Sequence, residues 1–425
     1  MKLTAISFEN YKSFQKRQSI EIRPLTILIG RNSSGKSVIA RLPLLLAHAL
    51  SDRAESPLDL ECEGIDYASS FADFVHNRLP HGAVSIGAKF LEPKRKGTLF
   101  QKRKEIELSA KVQHFDEYKL QMVAQFELKY AEPFTIELIW AGTDPLEDNS
   151  LYRNEITGQN CQASFRGLLP FGVQNADKTA LLLIEPLINE FQQLFESTTY
   201  LGPFRKEPKR IYRFPGGIVR RVGFGGERAP ELLGHDFLRQ KGKVLSAVGE
   251  WFSKHLGGWP LDLSHQGDMF SLVLRNPENP SMEINIADVG TGIAQVLPIV
   301  VQRQFEAVTG TKSSLEIVEQ PELQLHPGAH GDLADLYVNA VQNSGISFII
   351  ETHSENFILR IRRRIAEEKL DPEKVIIYWI NDEPGSVRNA EPIHIEADGE
   401  VDFWPTKVFA EDFEEVRAIR KAQKG

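Results

Sequence analysis

An α/β fold is predicted, a phosphate-binding α/β core joined to an antiparallel β lobe, and three observations predict it. The apolar run Leu25-Thr-Ile-Leu-Ile29 leads into Gly30-Arg31-Asn32-Ser33-Ser34-Gly35-Lys36-Ser37 and then a helical stretch, the strand, loop and helix order of the motif G-x-x-x-x-G-K-S. Two further apolar strands end in polar residues: Leu315-Glu-Ile-Val-Glu319 runs into Gln320-Pro321-Glu322, and Ser347-Phe-Ile-Ile350 into Glu351-Thr352-His353-Ser354. Both endings belong at the carboxyl edge of an open sheet, where ligands sit. Between the first motif and the others, short β-rich runs alternate with turns, the mark of antiparallel strands.

Each fixed residue of the loop has a task. Gly30 and Gly35 let the backbone curl until successive N–H groups, those of Arg31, Asn32, Ser33 and Ser34 among them, point at phosphate oxygens. Lys36 neutralises the β and γ phosphates, and Ser37 offers its hydroxyl to Mg²⁺. The helix that follows aims its positive dipole end at the same anion. The loop therefore calls for a nucleoside triphosphate.

Further along, Ala83 to Phe90, Glu105 to Val112, Tyr118 to Lys129 and Phe134 to Trp140 read as strands of a sheet lying over the nucleotide, so residues 1–165 form the first segment. Residues 166–260 turn helical: Leu181 to Phe195 and Glu231 to Leu256 carry apolar residues at helical spacing on either side of a Gly/Pro-rich basic stretch. This reads as a short inserted helical arm, with neither helix long enough for a few uninterrupted heptads. Residues 261–425 return to strands at Phe270 to Leu274 and Met282 to Ile286. They then supply Asp288-Val-Gly290-Thr291-Gly292-Ile-Ala-Gln295, a Gly-rich turn entering an apolar helix, which can act as a second anion nest. The two polar-ended strands and a small β-rich tail complete the segment. Glu319 is the candidate Mg²⁺ carboxylate, and His353 the candidate contact to the γ-phosphate.

Composition narrows the class. The chain has 425 residues, 41% hydrophobic and 25% charged, enough for one large core or two moderate ones. Cys62 and Cys161 are its two cysteines, too few for a disulfide framework or a Cys-rich metal site. The longest apolar run, around Leu42 to Leu50, is half a membrane span, so no membrane is expected and the compartment should be the cytoplasm. A net charge of −8 argues against nonspecific coating of DNA. Locally, however, Arg205, Lys206, Lys209, Arg210, Arg213, Arg220, Arg221 and Arg228 face only Glu207 and Glu227, with Tyr212, Phe214 and Phe224 between them. That stretch is a candidate contact to DNA or RNA, against the plainer reading of a solvated or nucleotide-facing surface. Lys94 to Lys104 and Arg360 to Arg364 are lesser basic clusters.

The loop, the glycine turn, the strand ending E-Q-P-E-L-x-L-H-P and the E-T-H-S ending together resemble the ABC-like AAA family ATPases of the RecF, structural-maintenance-of-chromosomes (SMC) and OLD nuclease branch. The opening Leu3-Thr-Ala-Ile-Ser-Phe8-Glu-Asn10-Tyr-Lys-Ser-Phe14 resembles their first strand and its "nFksF" turn. Asp288-Val-Gly-Thr-Gly, Glu319-Gln-Pro-Glu, Tyr200-Leu-Gly-Pro-Phe-Arg205 and Phe403-Trp-Pro405 resemble a bacterial subgroup often met beside mobile-element and antiphage genes.

The resemblance implies an ABC-type ATPase head that binds ATP and Mg²⁺ and works as a homodimer with two nucleotides sandwiched between heads. Gly290, Thr291, Gly292 and Gln295 would then act on the phosphates held by Lys36 of the other copy. Where relatives place a catalytic glutamate after the metal acid, this chain has Gln320, which can position water but cannot accept its proton, so slow hydrolysis is expected. Glu322 is the alternative base, or belongs to the opposite subunit's site. Asp73 or His76 would stand in for a missing glutamine-loop residue. His326 is expected in a turn at the dimer face. Such a head would switch a separate effector encoded nearby, in DNA transactions or antiphage defence. The alternative is an OLD-type nuclease in cis, for which Asp382-Glu383 and Asp398-Gly-Glu400 lack the expected acidic pattern.

Overall fold

The computed structural model describes residues 1–92, 105–130, 134–146, 151–174, 187–194, 196–310, 313–383 and 386–405. The Lys94 to Lys104 cluster and residues 181–186 and 195 of the first expected arm helix lie outside these. The chain divides into two units: Met1–Ile22, Arg31–Thr198 and Ile380–Glu391 form one, and Arg23–Gly30, Thr199–Trp379 and Pro392–Gly425 the other.

Nine antiparallel strands make the sheet of the first unit. From one edge they run Leu169–Gln174, Gln159–Arg166, Leu151–Asn154, Phe134–Trp140, Leu120–Tyr130, Glu105–Phe115, Ala83–Leu91, Lys2–Glu9 and Gln18–Glu21. Glu105–Phe115 shows how the sequence specifies it: Ile106, Leu108, Ala110, Val112 and His114 are buried at every second position, as one covered face of a pleated strand requires. The loop helix α1 (Lys36–Ala49) belongs to the same unit. Its last carbonyl, of Ala49, accepts from Leu168 N–H at 2.8 Å, and Gly167, at φ 55°, leaves room for that carbonyl.

A six-stranded sheet underlies the second unit, with Thr198 and the sheet residues between Ile380 and Glu391 grouped with the first. Its strands are β1 (Leu25–Gly30), β2 (Thr198–Leu201), β3 (Leu315–Glu319), β4 (Ser347–Glu351), β5 (Val375–Asn381) and β6 (Asn389–Ile393), in the order β2-β3-β4-β1-β5-β6. β3 and β4 pair in parallel with Glu319 opposite Glu351, and β4 pairs in parallel with β1 with Glu351 opposite Leu28. Every residue of β3 and β4 is buried, which explains their largely apolar character before the terminal acids; Glu316, the charged residue inside β3, pairs with Arg303 of the second unit.

The helices of this unit are α2 (Ala229–Arg239), α3 (Lys243–His255), α4 (Thr291–Thr309), α5 (Pro327–Ser344) and α6 (Glu355–Ala366). Where the sequence reads as one run from Glu231 to Leu256, the chain breaks between α2 and α3, with Lys241 and Gly242 both left-handed at φ 62° and 65°. The stretch 166–260, read as an inserted arm, instead contributes a strand to each large sheet. Its helices put Leu232, Leu233, Val244, Val248 and Phe252 into the same core as Val296, Ile299 and Val300 of α4. Helices whose apolar faces are covered in this core do not stand apart as a separate short arm.

Candidate functional site

Three residues of the phosphate loop carry positive φ: Gly30 at 151°, Ser33 at 63° and Gly35 at 112°. The curl closes on itself, since Lys36 Nζ donates to the Arg31 carbonyl at 2.6 Å and Lys36 is 3% exposed. Arg31, Asn32 and Ser33 face solvent, Ser37 is half-buried, and Ser34 has a buried hydroxyl with no partner among the described residues. Beneath the loop lies the turn from Asn10 to Phe14. A Cβ on Gly35 would stand 2.9 Å from the Phe14 ring and 3.0 Å from Ser13 Oγ, so both the conformation and the contact demand glycine there. Asn10 Nδ2 holds the Ala83 carbonyl at 2.6 Å, and His76 Nδ1 meets the Lys12 carbonyl at 3.0 Å. Asp73 accepts from Ser70 N–H and pairs with Arg78 at 3.1 Å, so Asp73 braces its local turn while His76 ties that turn to the one from Asn10 to Phe14. Burial lowers the Lys12 pKa, with Asp73 opposing it.

The second unit assembles the acids. At the carboxyl edge of its sheet Gln320 N–H donates to the Glu351 carbonyl at 2.7 Å and Thr352 N–H to the Leu28 carbonyl at 3.1 Å, so the ends of β3, β4 and β1 lie in one row. Gly30, the first loop residue, closes β1 beside them. Glu319 is 1% exposed and its Oε1 accepts from Tyr200 Oη at 2.9 Å. Gln320 is half-buried and left-handed at φ 45°, an uncommon state for a residue with a Cβ. His353 is half-buried in the extended stretch before α6. Ser354 caps α6 by accepting from Phe357 N–H at 3.0 Å.

A match to the AAA ATPase domain family covers residues 1–158 and 260–358, more than half of the chain. The chain belongs to the AAA ATPase domain family. A search of the curated proteins finds no match. Among solved structures, this AAA ATPase is similar to an SMC head bound to the C-winged helix domain of ScpA, at 12% identity and a TM-score of 0.51, over 93% of this chain and 98% of that one. It also aligns with an SMC head domain from Thermotoga maritima, at 11% identity and a TM-score of 0.42, over 93% of this chain and 100% of that one. The first likeness shows the fold, an ABC-type ATPase head.

Several residues of the AAA ATPase stand elsewhere than the sequence reading placed them. Glu322 is 7% exposed and turned inward, its Oε1 accepting from His353 N–H at 2.7 Å; burial raises its pKa, with the His353 N–H opposing. That contact fastens the histidine segment to the turn after Glu319. Gln295 is 9% exposed and uses its amide on the main chain of Arg205, accepting from Arg205 N–H at 3.2 Å and donating to its carbonyl at 3.1 Å. Gly290 and Thr291 do face solvent at the start of α4, while Gly292 packs on the Gln324 carbonyl. His326 caps α5, accepting from Gly328 N–H at 3.1 Å.

The basic stretch divides between buried, paired and exposed cations. Arg205 is 5% exposed and donates through Nη2 to the carbonyls of Glu319 at 2.9 Å and Gln320 at 3.2 Å. Arg210 pairs with Asp288 and Arg228 with Glu231. Lys206, Lys209, Arg213, Arg220 and Arg221 remain at the surface. The Arg360 to Arg364 cluster pairs with Asp335, Glu367 and Glu400. Sequence reasoning saw the Tyr200 to Arg205 segment as a family mark but not its place behind the acids; the one signal was an arginine following Gly-Pro directly after a short strand.

No group of three or more His, Cys, Asp or Glu capable of holding a metal occurs among the described residues. Mg²⁺ needs no such group, since it binds through one or two protein oxygens with substrate phosphates and water completing its octahedron. The Glu319 carboxylate at the sheet edge is a hard oxygen donor suited to that role, and the Ser37 hydroxyl is a second.

Proposed function

We propose that this AAA ATPase binds ATP with Mg²⁺, hydrolyses it slowly, and acts as a homodimeric switch that controls a separate effector. The observation that carries the reading is the acid turn itself. Gln320 occupies the position after the metal acid, while Glu322, the nearby carboxylate, faces the His353 backbone. An amide there orients water without taking its proton, which forgoes about a hundredfold or more in rate.

In this reading Lys36 and the loop N–H groups bind the phosphates, Ser37 and Glu319 hold the metal, and His353 contacts the γ-phosphate. Bound Mg²⁺ neutralises charge on the β and γ oxygens. Gly290 and Thr291, exposed at the positive end of α4, close over the nucleotide of the other head. A head of this fold is seen bound to another protein's winged-helix domain, which supports a separate effector here. The resemblance of the motifs favours DNA transactions or antiphage defence, and Lys206, Lys209, Arg213 and Arg220 are the exposed cations available to nucleic acid.

Gln320→Glu is the test, followed by phosphate release and by the mass of the ATP-bound species. Faster turnover and a shorter-lived dimer are expected. A wild type that already turns over rapidly and is not accelerated by the substitution would refute the slow switch.

A further inference from the structure

Arg205 is held at both ends by different parts of the second unit. Its main chain is gripped by Gln295 of α4 through two hydrogen bonds, and its guanidinium reaches the carbonyls of Glu319 and Gln320. The segment around it is fastened to a glycine loop, with Gly202 N–H donating to the Phe224 carbonyl at 2.9 Å and Lys206 N–H to Gly225 at 2.8 Å. That loop sits on α4 in turn: a Cβ on Gly226 would lie 2.3 Å from Pro298 Cγ. α4, the backbone of Arg205 and the acid turn are thus joined in one chain of contacts.

Two features set Arg205 apart from an ordinary buried arginine. Its Nε and Nη1 have no hydrogen-bond partner among the described residues, and burial pushes its pKa down to about 10. A cation so incompletely satisfied is costly to bury. The turn it grips is itself held in an unfavourable state, with Gln320 at φ 45°, where strain persists only if neighbours over-determine it.

We propose that Arg205 is a positioning residue that couples α4 to the Gln320 turn, so that engagement of α4 by a second head's nucleotide sets the water-orienting amide. This rests on the ATPase reading above. The arrangement is asymmetric in its consequences: breaking the link misplaces Gln320 but leaves the phosphate loop intact. Arginine suits the task because its planar fork fixes the direction of its donors, whereas a lysine ammonium does not.

The test compares Arg205→Lys, Gln295→Met and the double variant with wild type, measuring kcat at saturating ATP, the Kd for ATP by calorimetry, and turnover per head against protein concentration. Wild-type turnover per head should rise as heads pair. Each single variant should lose about ten- to a hundredfold in kcat, the cost of a misplaced catalytic group. Their Kd should stay within about twofold, as expected when only transition-state interactions are lost. The concentration dependence should flatten in both. The double variant should be no worse than the poorer single, because both sever one link. Unchanged kcat, a Kd that rises in parallel with the loss of kcat, or losses that multiply would overturn the coupling. Should Arg205→Lys fail to fold, Gln295→Met reads the same link from the other side. A wild type that binds no ATP would overturn the ATPase reading instead.

Discussion

At the level of single residues, one carboxylate separates chemistry from architecture. Glu322 lies three residues beyond Glu319 and, on spacing alone, could serve as a base. Its Oε1 is committed to His353 N–H, and its other oxygen is buried with no hydrogen-bond partner among the described residues. Glu322→Gln keeps an acceptor at that point, and we expect turnover to change less than about threefold, since no proton is taken by this group. Glu322→Ala strands the His353 N–H and should cost about 1–3 kcal/mol of stability, read as a lower denaturation midpoint. Loss of turnover in the glutamine variant, with stability intact, would restore Glu322 as the base.

Among the elements, the start of α4 is the tightest joint near the acids. A Cβ on Gly292 would meet the Gln324 carbonyl oxygen at 2.2 Å and the Leu325 Cα at 3.3 Å, backbone atoms that cannot rotate away. Gly292→Ala must therefore push α4 off the turn that follows Glu319 and Gln320. The expected cost is about 1–3 kcal/mol by thermal or chemical denaturation, as for other overpacked sites. An unchanged midpoint would show that the helix start shifts freely. Pro298 inside α4 is accommodated by Gly226, at φ 73°, which supplies the room another residue would fill.

For the whole molecule, the expected consequence is nucleotide-dependent association. No helix among the described residues is long and apolar enough to cross a membrane. With ATP and Mg²⁺ the mass should double. Removing the metal with EDTA should return the monomer, because the phosphates then lose a counter-charge that Lys36 alone does not replace. Lys36→Ala should stay monomeric and lose about 2–3 kcal/mol of ATP affinity, the worth of a charged hydrogen bond in a desolvated loop. A constant monomer mass in wild type at saturating ATP would count against the sandwich.

The sequence alone determined the phosphate loop, the buried strands that lead into Glu319 and Glu351, and the antiparallel runs of the first unit, because each is written in local signals: glycine spacing, apolar runs with polar endings, alternation. It also placed Gln320 directly after Glu319. Only the tertiary structure decided what stands behind those residues. Arg205 read as one more surface cation among eight, yet it lies beneath the acid turn. Gln295 read as a phosphate ligand, yet its amide is spent on Arg205. The helices read as an arm lie in the core. The contacts of Arg205 with Gln295 and the acid turn join residues about 90 to 115 positions apart, and a charge or an amphipathic stripe carries no record of which distant partner will cover it.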